Sequence, residues 1–181
     1  DSGTTTVTLP TGLVPGTYAI FAKADNQSEI SEILESNNTR VTSIRIGPDL
    51  VVSAMSAPAT AGAGATIAVT ETTLNQGGGS AGTSATRFYL SANFSLDAND
   101  TPLGSRAVPT LAASGSSSAT TTVSIPSGTP TGQYYLIANA DDGNAVAEPV
   151  ETNNAKYVII RVGPDLVVSS IVAPARAGSG G

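Results

Sequence analysis

The sequence predicts an all-β fold, an immunoglobulin-like antiparallel sandwich of about seven strands in tandem repeat, and three observations carry that prediction. Short runs rich in Val, Ile and Thr alternate apolar with polar residues. Gly, Pro, Asn and Ser cluster between the runs. Nowhere do apolar residues recur at helical spacing over three turns. The repeat is visible in the letters: GPDLVVS at Gly47 to Ser53 returns at Gly163 to Ser169, and 163 − 47 = 116. At that offset the first 65 residues align with the last 65 without a gap at roughly half identity. The chain divides accordingly into the back part of one unit (1–47), one whole unit (48–163) and the first strand of another (164–181).

The elements follow in order. Thr4 to Pro10 alternates Thr with Val7 and Leu9 and reads as a strand. Tyr18 to Asp25 is the next, and the two copies decide which face is inside: Tyr18, Ile20, Ala22 and Ala24 face Tyr134, Leu136, Ala138 and Ala140 across the offset, while Lys23 stands opposite Asn139 on the other parity. Asn26 to Asn38 and its copy Asp142 to Asn154 are polar hairpin connections. Thr42, Ile44 and Ile46, like Val158, Ile160 and Val162, form the inner row of a strand that ends at Gly-Pro. Proline has no ladder donor, so one unit stops there and the next begins after a junction of about two residues, too short for a flexible tether.

The whole unit opens on a strand from Asp49 to Ser56 with Leu50 and Val52 inward, breaks over the small residues Ala59 to Gly64, and resumes from Thr66 to Leu74 with Ile67 and Val69 inward. NQGGGSAG, Asn75 to Gly82, is a glycine-rich loop. Thr83 to Ser91 buries Phe88 and Leu90. A polar loop, Asn93 to Pro102, leads to a short strand from Leu103 to Val108 and a turn region from Leu111 to Ser118. Strands at Thr120 to Pro126, Gln133 to Asp141 and Lys156 to Val162 complete seven.

Composition bounds the function. Cysteine, histidine and tryptophan are absent, which removes disulfides, thiol nucleophiles, the commonest general base and the commonest transition-metal ligand. Eight Lys and Arg are scattered against fourteen Asp and Glu, a net charge of −6 without the basic footprint of a nucleic-acid binder. No apolar run is long enough to span a bilayer, and an export signal or anchor is expected outside this window. The abundance of Ser, Thr, Gly, Ala and Pro with few charges suits secreted and surface proteins.

Three motifs bear weighing. Asn93, Asp97, Asn99 and Asp100 bring four oxygen-bearing side chains into eight residues, a hard-ligand cluster that suits calcium; the same residues are turn formers that cap their own backbone. Asp141, Asp142 and Asn144, with Glu148, Glu151 and Asn153 after them, could supply paired carboxylates. A glycosidase also needs aromatic platforms, and the chain is 4% aromatic, so a solvated hairpin loop is the favoured reading. Asn26, Asn37, Asn93 and Asn99 begin Asn-x-Ser/Thr triplets, frequent in a chain so rich in Ser and Thr. No serine has a neighbouring base, so an enzyme is not expected. Tyr89, Tyr135 and Tyr157 lie on outward parity and are the candidates for a glycan or protein ligand.

Three blocks, Pro48 to Gly77, Thr86 to Arg106 and Gly132 to Asn154, resemble in order and spacing the bacterial cell-adhesion-related domain called CARDB. The resemblance implies an immunoglobulin-like sandwich, tandem occurrence on extracellular or cell-surface proteins, and a role in adhesion or spacing, with no catalytic residues and no cofactor. Members often carry Asp where this chain has Asn93, which weakens a calcium site. The expectation is a non-catalytic structural repeat of a stiff stalk or filament. Its partners are neighbouring repeats, with self-association into a fibre through strand complementation. The alternative is a carbohydrate- or protein-binding accessory module of a secreted enzyme.

Overall fold

The computed structural model of the chain describes residues 2–164, 166–174, 176, 178 and 179. Two antiparallel strands, β1 (Gly16–Lys23) and β2 (Thr39–Ile46), form a sheet of their own. Eight more follow: β3 (Leu50–Ser56), β4 (Thr60–Ala61), β5 (Thr66–Asn75), β6 (Ser84–Ser91), β7 (Thr101–Val108), β8 (Ser116–Ser124), β9 (Gly132–Asn139) and β10 (Ala155–Val162). They build an immunoglobulin-like sandwich in which a three-stranded sheet, β3-β5-β8, faces a five-stranded one, β4-β10-β9-β6-β7. The only helical piece among the described residues is the single 3-10 turn Glu35–Asn37.

Strand alternation places the core where period two requires it. Leu50, Val52, Ile67, Val69 and Val123 from the smaller sheet meet Phe88, Leu90, Leu136, Ala138, Ile160 and Val162 from the larger, all buried. Each such aliphatic side chain contributes about 1.5–3 kcal/mol relative to exposure. At the start of β9 the Tyr134 hydroxyl donates to the Pro130 carbonyl at 3.0 Å, the tyrosine corner of immunoglobulin-like folds. Tyr18 repeats it on Val14 at 2.8 Å. The ladders agree as well: Gly16 pairs with Ile46 and Lys23 with Thr39, as Gly132 pairs with Val162 and Asn139 with Ala155.

Four sequence expectations need correction. The sandwich is not wholly antiparallel: β4 lies in the run read as a break and pairs in parallel with Arg161 and Val162 of β10. Ser116 to Ser118 belong to β8 rather than to a turn, because Leu74, Thr73 and Thr72 supply their ladder partners. Thr4 to Pro10 forms no strand: its counterpart β8 leans on β5, and β1 and β2 bring no equivalent of β5. The described residues from Leu166 to Pro174 form none either, and Leu166, Val168, Ile171 and Val172 stand exposed. Asp165, Ala175, Ala177, Gly180 and Gly181 of 164–181 lie outside the described residues.

The inward row of β5 is apolar at one end and polar at the other. Ile67 and Val69 are followed by Glu71, Thr73 and Asn75, all buried. Arg106 reaches in from β7, on the opposite sheet, to pair with Glu71 through its Nε, and donates from Nη2 to the Ser117 carbonyl at 2.8 Å. Thr73 and Thr86 share a hydroxyl hydrogen bond at 2.7 Å across the same interface. Replacing Arg106 alone strands a buried carboxylate, so Arg106→Met is expected to lose about 3–5 kcal/mol in urea titration. The double variant Glu71→Leu with Arg106→Met is expected to recover most of that loss, since no uncompensated charge is left behind.

Candidate functional site

The hairpin connection between β9 and β10 folds around Asp141, which lies in the left-handed region at φ +46°. Its carboxylate accepts from the amides of Ala145 (3.0 Å) and Val146 (2.8 Å), an arrangement that closes the loop on itself. Asp25, 116 residues earlier, sits at φ +42° and accepts from Glu29 (2.8 Å) and Ile30 (3.0 Å) in the same manner.

This loop is a clamp rather than the solvated hairpin the sequence suggested. Asp141 is only 1% exposed, and the acids beyond it grip the start of the whole unit. Glu148 Oε1 accepts the Leu50 amide at 2.8 Å, its Oε2 accepts from Asn154 Nδ2 at 3.0 Å, and Glu151 accepts the Glu148 amide at 3.0 Å. Asn153 Nδ2 donates to Asp49 Oδ1 at 2.9 Å. Gln76, from the other side, donates to Asp49 Oδ2 at 3.0 Å, while Asn75 Oδ1 accepts the Asp49 amide at 3.1 Å. Asn75 Nδ2 also donates to the carbonyls of Gly79, Leu111 and Ala112, so one buried amide ties three loops. The two residues following Gly47-Pro48 are thus fixed by five bonds from Asn75, Gln76, Glu148 and Asn153. Sequence reasoning did not find Glu71, Thr73 or Asn75; extending the inward parity of Ile67 and Val69 would have marked all three.

Desolvation is the main reason the Glu148 carboxyl is pushed up to about 7 from its ordinary 4.5; the Leu50 amide and Asn154 pull the other way, and Glu151 and Asp141 add repulsion. The folded state therefore holds a proton that the unfolded chain has released between pH 4.5 and about 7. Stability from this group is present at the acid end and lost as pH rises through that window. Glu148→Gln removes the charge and keeps an acceptor for Leu50, and the unpartnered Asn154 Oδ1 can receive the new amide once its group turns over. The variant is expected to gain melting temperature relative to the native chain at pH 8 but not at pH 4.5. An equal offset at both values contradicts this.

The calcium candidates lie elsewhere, in the exposed loop between β6 and β7. Their oxygens serve the backbone: Asn93 Oδ1 accepts the Ser95 amide (2.8 Å), Asp97 Oδ1 the Asn99 amide (2.7 Å), and Asp100 Oδ2 the Asp97 amide (2.9 Å). The Asn99 amide is also what holds the Asp97 carboxyl below the usual range. A turn explains these contacts, and removing calcium with EDTA is expected to leave the melting temperature unchanged; a fall would establish a metal. Among the described residues, three carboxylates converge at Asp25, Glu32 and Glu35, the counterparts of Asp141, Glu148 and Glu151. The four Asn-x-Ser/Thr asparagines, Asn26, Asn37, Asn93 and Asn99, are all exposed.

The outward tyrosines share one face. Tyr89 and Tyr157 flank Ile137 in register, and Tyr135 sits between Ser91 and Ile159. Ile137 is buried on this outer side of the sheet. Phe94, from the β6–β7 loop, comes within 6.4 Å of both Tyr135 and Tyr157, which stand edge to face at 5.2 Å. Tyr89 is set apart from this group. Its hydroxyl donates to Asp142 at 2.6 Å, burial and that carboxylate raise its pKa, and Asp142 is further paired with Arg87 at 3.4 Å.

No curated protein matches the chain. Among solved structures it is similar to a CARDB domain from Pyrococcus furiosus in complex with di-metal ions, at 25% identity and a TM-score of 0.49, covering 65% of this chain and 90% of that one. A domain of a provisionally assigned cell surface protein from Methanosarcina acetivorans is similar at 20% identity and a TM-score of 0.48, covering 69% of this chain and all of the other. A β-glucosidase from Erythrobacter marinus is similar at 14% identity and a TM-score of 0.43 over 64% of this chain, which spans 16% of the enzyme. The CARDB family model matches residues 47–158. That span takes in every strand of the sandwich but the last few residues of β10, and with it the clamp, so this chain belongs to the CARDB family.

Proposed function

We propose that the chain is a non-catalytic structural part of an extracellular or cell-surface protein, in which CARDB units of about 116 residues follow head to tail and form a stiff stalk or filament. The observation that carries this reading is the clamp on Asp49 and Leu50: the chain passes from β2 into β3 through Gly47-Pro48 and is bound at once, leaving no free linker. A junction with few rotatable, unbonded residues transmits orientation from one unit to the next. The matched ladders of β1–β2 and β9–β10, and the matched Asp25 and Asp141 loops, support a tandem arrangement.

Neighbouring units are the partners of this design. They are joined either in one covalent array or by strand complementation between copies, and intact mass of the native material separates the two: well above 18.0 kDa for a covalent array, 18.0 kDa for copies that assemble. Small-angle scattering and electron microscopy are expected to show a rod; a compact globule or beads turning freely about their joints would exclude the stalk.

The aromatic face supports a second reading, a module that binds a surface glycan or protein, whether on a stalk or beside a secreted enzyme. Phe94 is 65% exposed and Tyr157 44%, next to an equally open Ile159. Saturable binding on a glycan array, abolished in the Phe94→Ala, Tyr135→Ala and Tyr157→Ala variants, would favour it over a purely mechanical role.

A further inference from the structure

We infer that the glycine-rich loop between β5 and β6 is a latch that locks the whole unit onto the one before it, and that Gly77 and Gly79 are the residues whose missing side chains make the lock possible. A loop with three consecutive glycines is the most flexible kind of sequence when free. Here it is pressed against the junction. A Cβ on Gly77 would lie 2.5 Å from the Gly47 carbonyl oxygen and 2.6 Å from both the Asp49 nitrogen and the Pro48 carbonyl carbon. One on Gly79 would lie 3.0 Å from the Gly47 carbonyl carbon and 3.1 Å from its Cα. All of these are backbone atoms with no side chain to swing aside. The approach delivers a bond, since the Gly79 amide donates to the Gly47 carbonyl at 3.0 Å. Gly78 between them meets nothing within 4 Å.

Gly47 is held from the far side too. Its φ of +122° admits glycine readily, and a Cβ there would lie 2.7 Å from Pro15 Cβ, so Gly47 sits between Pro15 of one unit and Gly79 of the next. Leu9, Leu13 and Ile44 on one side and Ser80 on the other line the groove beside this contact. Gly163 repeats the receiving half: its φ is +129°, and the Thr131 side chain stands where Pro15 stands at Gly47. The partner that fits the open pole at Gly163 is therefore another unit of this type, presenting two glycines one residue apart.

The latch deepens the stalk reading by naming what sets the angle between units. The absence of cysteine allows spin labels on Ser43→Cys and Ser105→Cys, both exposed and on opposite sides of the junction. Pulsed dipolar spectroscopy of the full chain is expected to give a narrow distance distribution. Gly79→Ala should at least double its width, while Gly78→Ala leaves it unchanged. Equal widths in all three overturn the latch, as does equal broadening by both substitutions. If Gly79→Ala impairs folding, hydrogen exchange on the native chain decides instead. The Gly79 amide should exchange at least tenfold more slowly than that of Gly78, and matched rates sink the proposal. A rod in scattering with an unprotected Gly79 would refute the latch and spare the stalk.

Discussion

The inward row of β5 runs from Ile67 through Val69, Glu71 and Thr73 to Asn75, and the rest of the unit is built against it. Its apolar half holds the two sheets together by burial. Its polar half has to be hydrogen-bonded, because an unpaired buried carboxylate or amide costs several kcal/mol, and each partner it finds belongs to a different part of the chain. Glu71 requires Arg106 from β7, Thr73 requires Thr86 from β6, and Asn75 requires Asp49, Gly79, Leu111 and Ala112. The strand thus specifies which sheet faces which at one end and where the segment arriving from β2 is held at the other. A wholly apolar row could bury as much surface and would fix neither.

How much of this was legible from the letters follows from what each feature depends on. Parity along a strand is local, so the letters alone place Leu50, Val52, Phe88, Leu90 and the row Tyr134, Leu136, Ala138 on the inner face. The end of β2 before Gly47-Pro48 was legible from a local cause as well, proline's missing ladder donor. Pairing is not local. GPDLVVS makes a strand at Leu50, where β5 supplies a ladder and Phe88 and Ile160 a lid, and the same letters make none at Leu166, where no described element meets them. Thr4 to Pro10 fails for that reason too. The two-residue β4 was hidden because alanine and threonine there carry no pattern, and only the exposed edge of β10 gives them a partner.

The acidic connection shows the opposite difficulty. Three glutamates and aspartates with neighbouring asparagines read as a surface loop because charged residues usually seek water. Asp141 is buried by the loop amides it accepts, and Glu148 is half-buried against Leu50, which arrives from about a hundred positions earlier with an amide for its carboxylate, while Asp49 arrives as the acceptor for Asn153. Where that arrival is lacking, around Asp25, Glu32 and Glu35, the same acids are left partly or fully exposed and gathered near one another. Half of the clamp's logic lies in the segment it holds.

A protein of this kind has two surfaces under different constraints. Along the sides, Phe94, Tyr135 and Tyr157 stand against one another, and their counterparts in the first copy that can be matched, Ala19 for Tyr135 and Val41 for Tyr157, are different residues in the same backbone positions. The same ladder accepts either set at these outward positions. At the poles the reverse holds. Gly47, Pro48, Asp49 and Leu50 recur unchanged at 163–166, as do the acids of the clamp; in the whole unit Asp49, Leu50 and Glu148 are bonded, and Gly47 and Pro48 pressed, to a segment from elsewhere, so a change at one requires a change at the other.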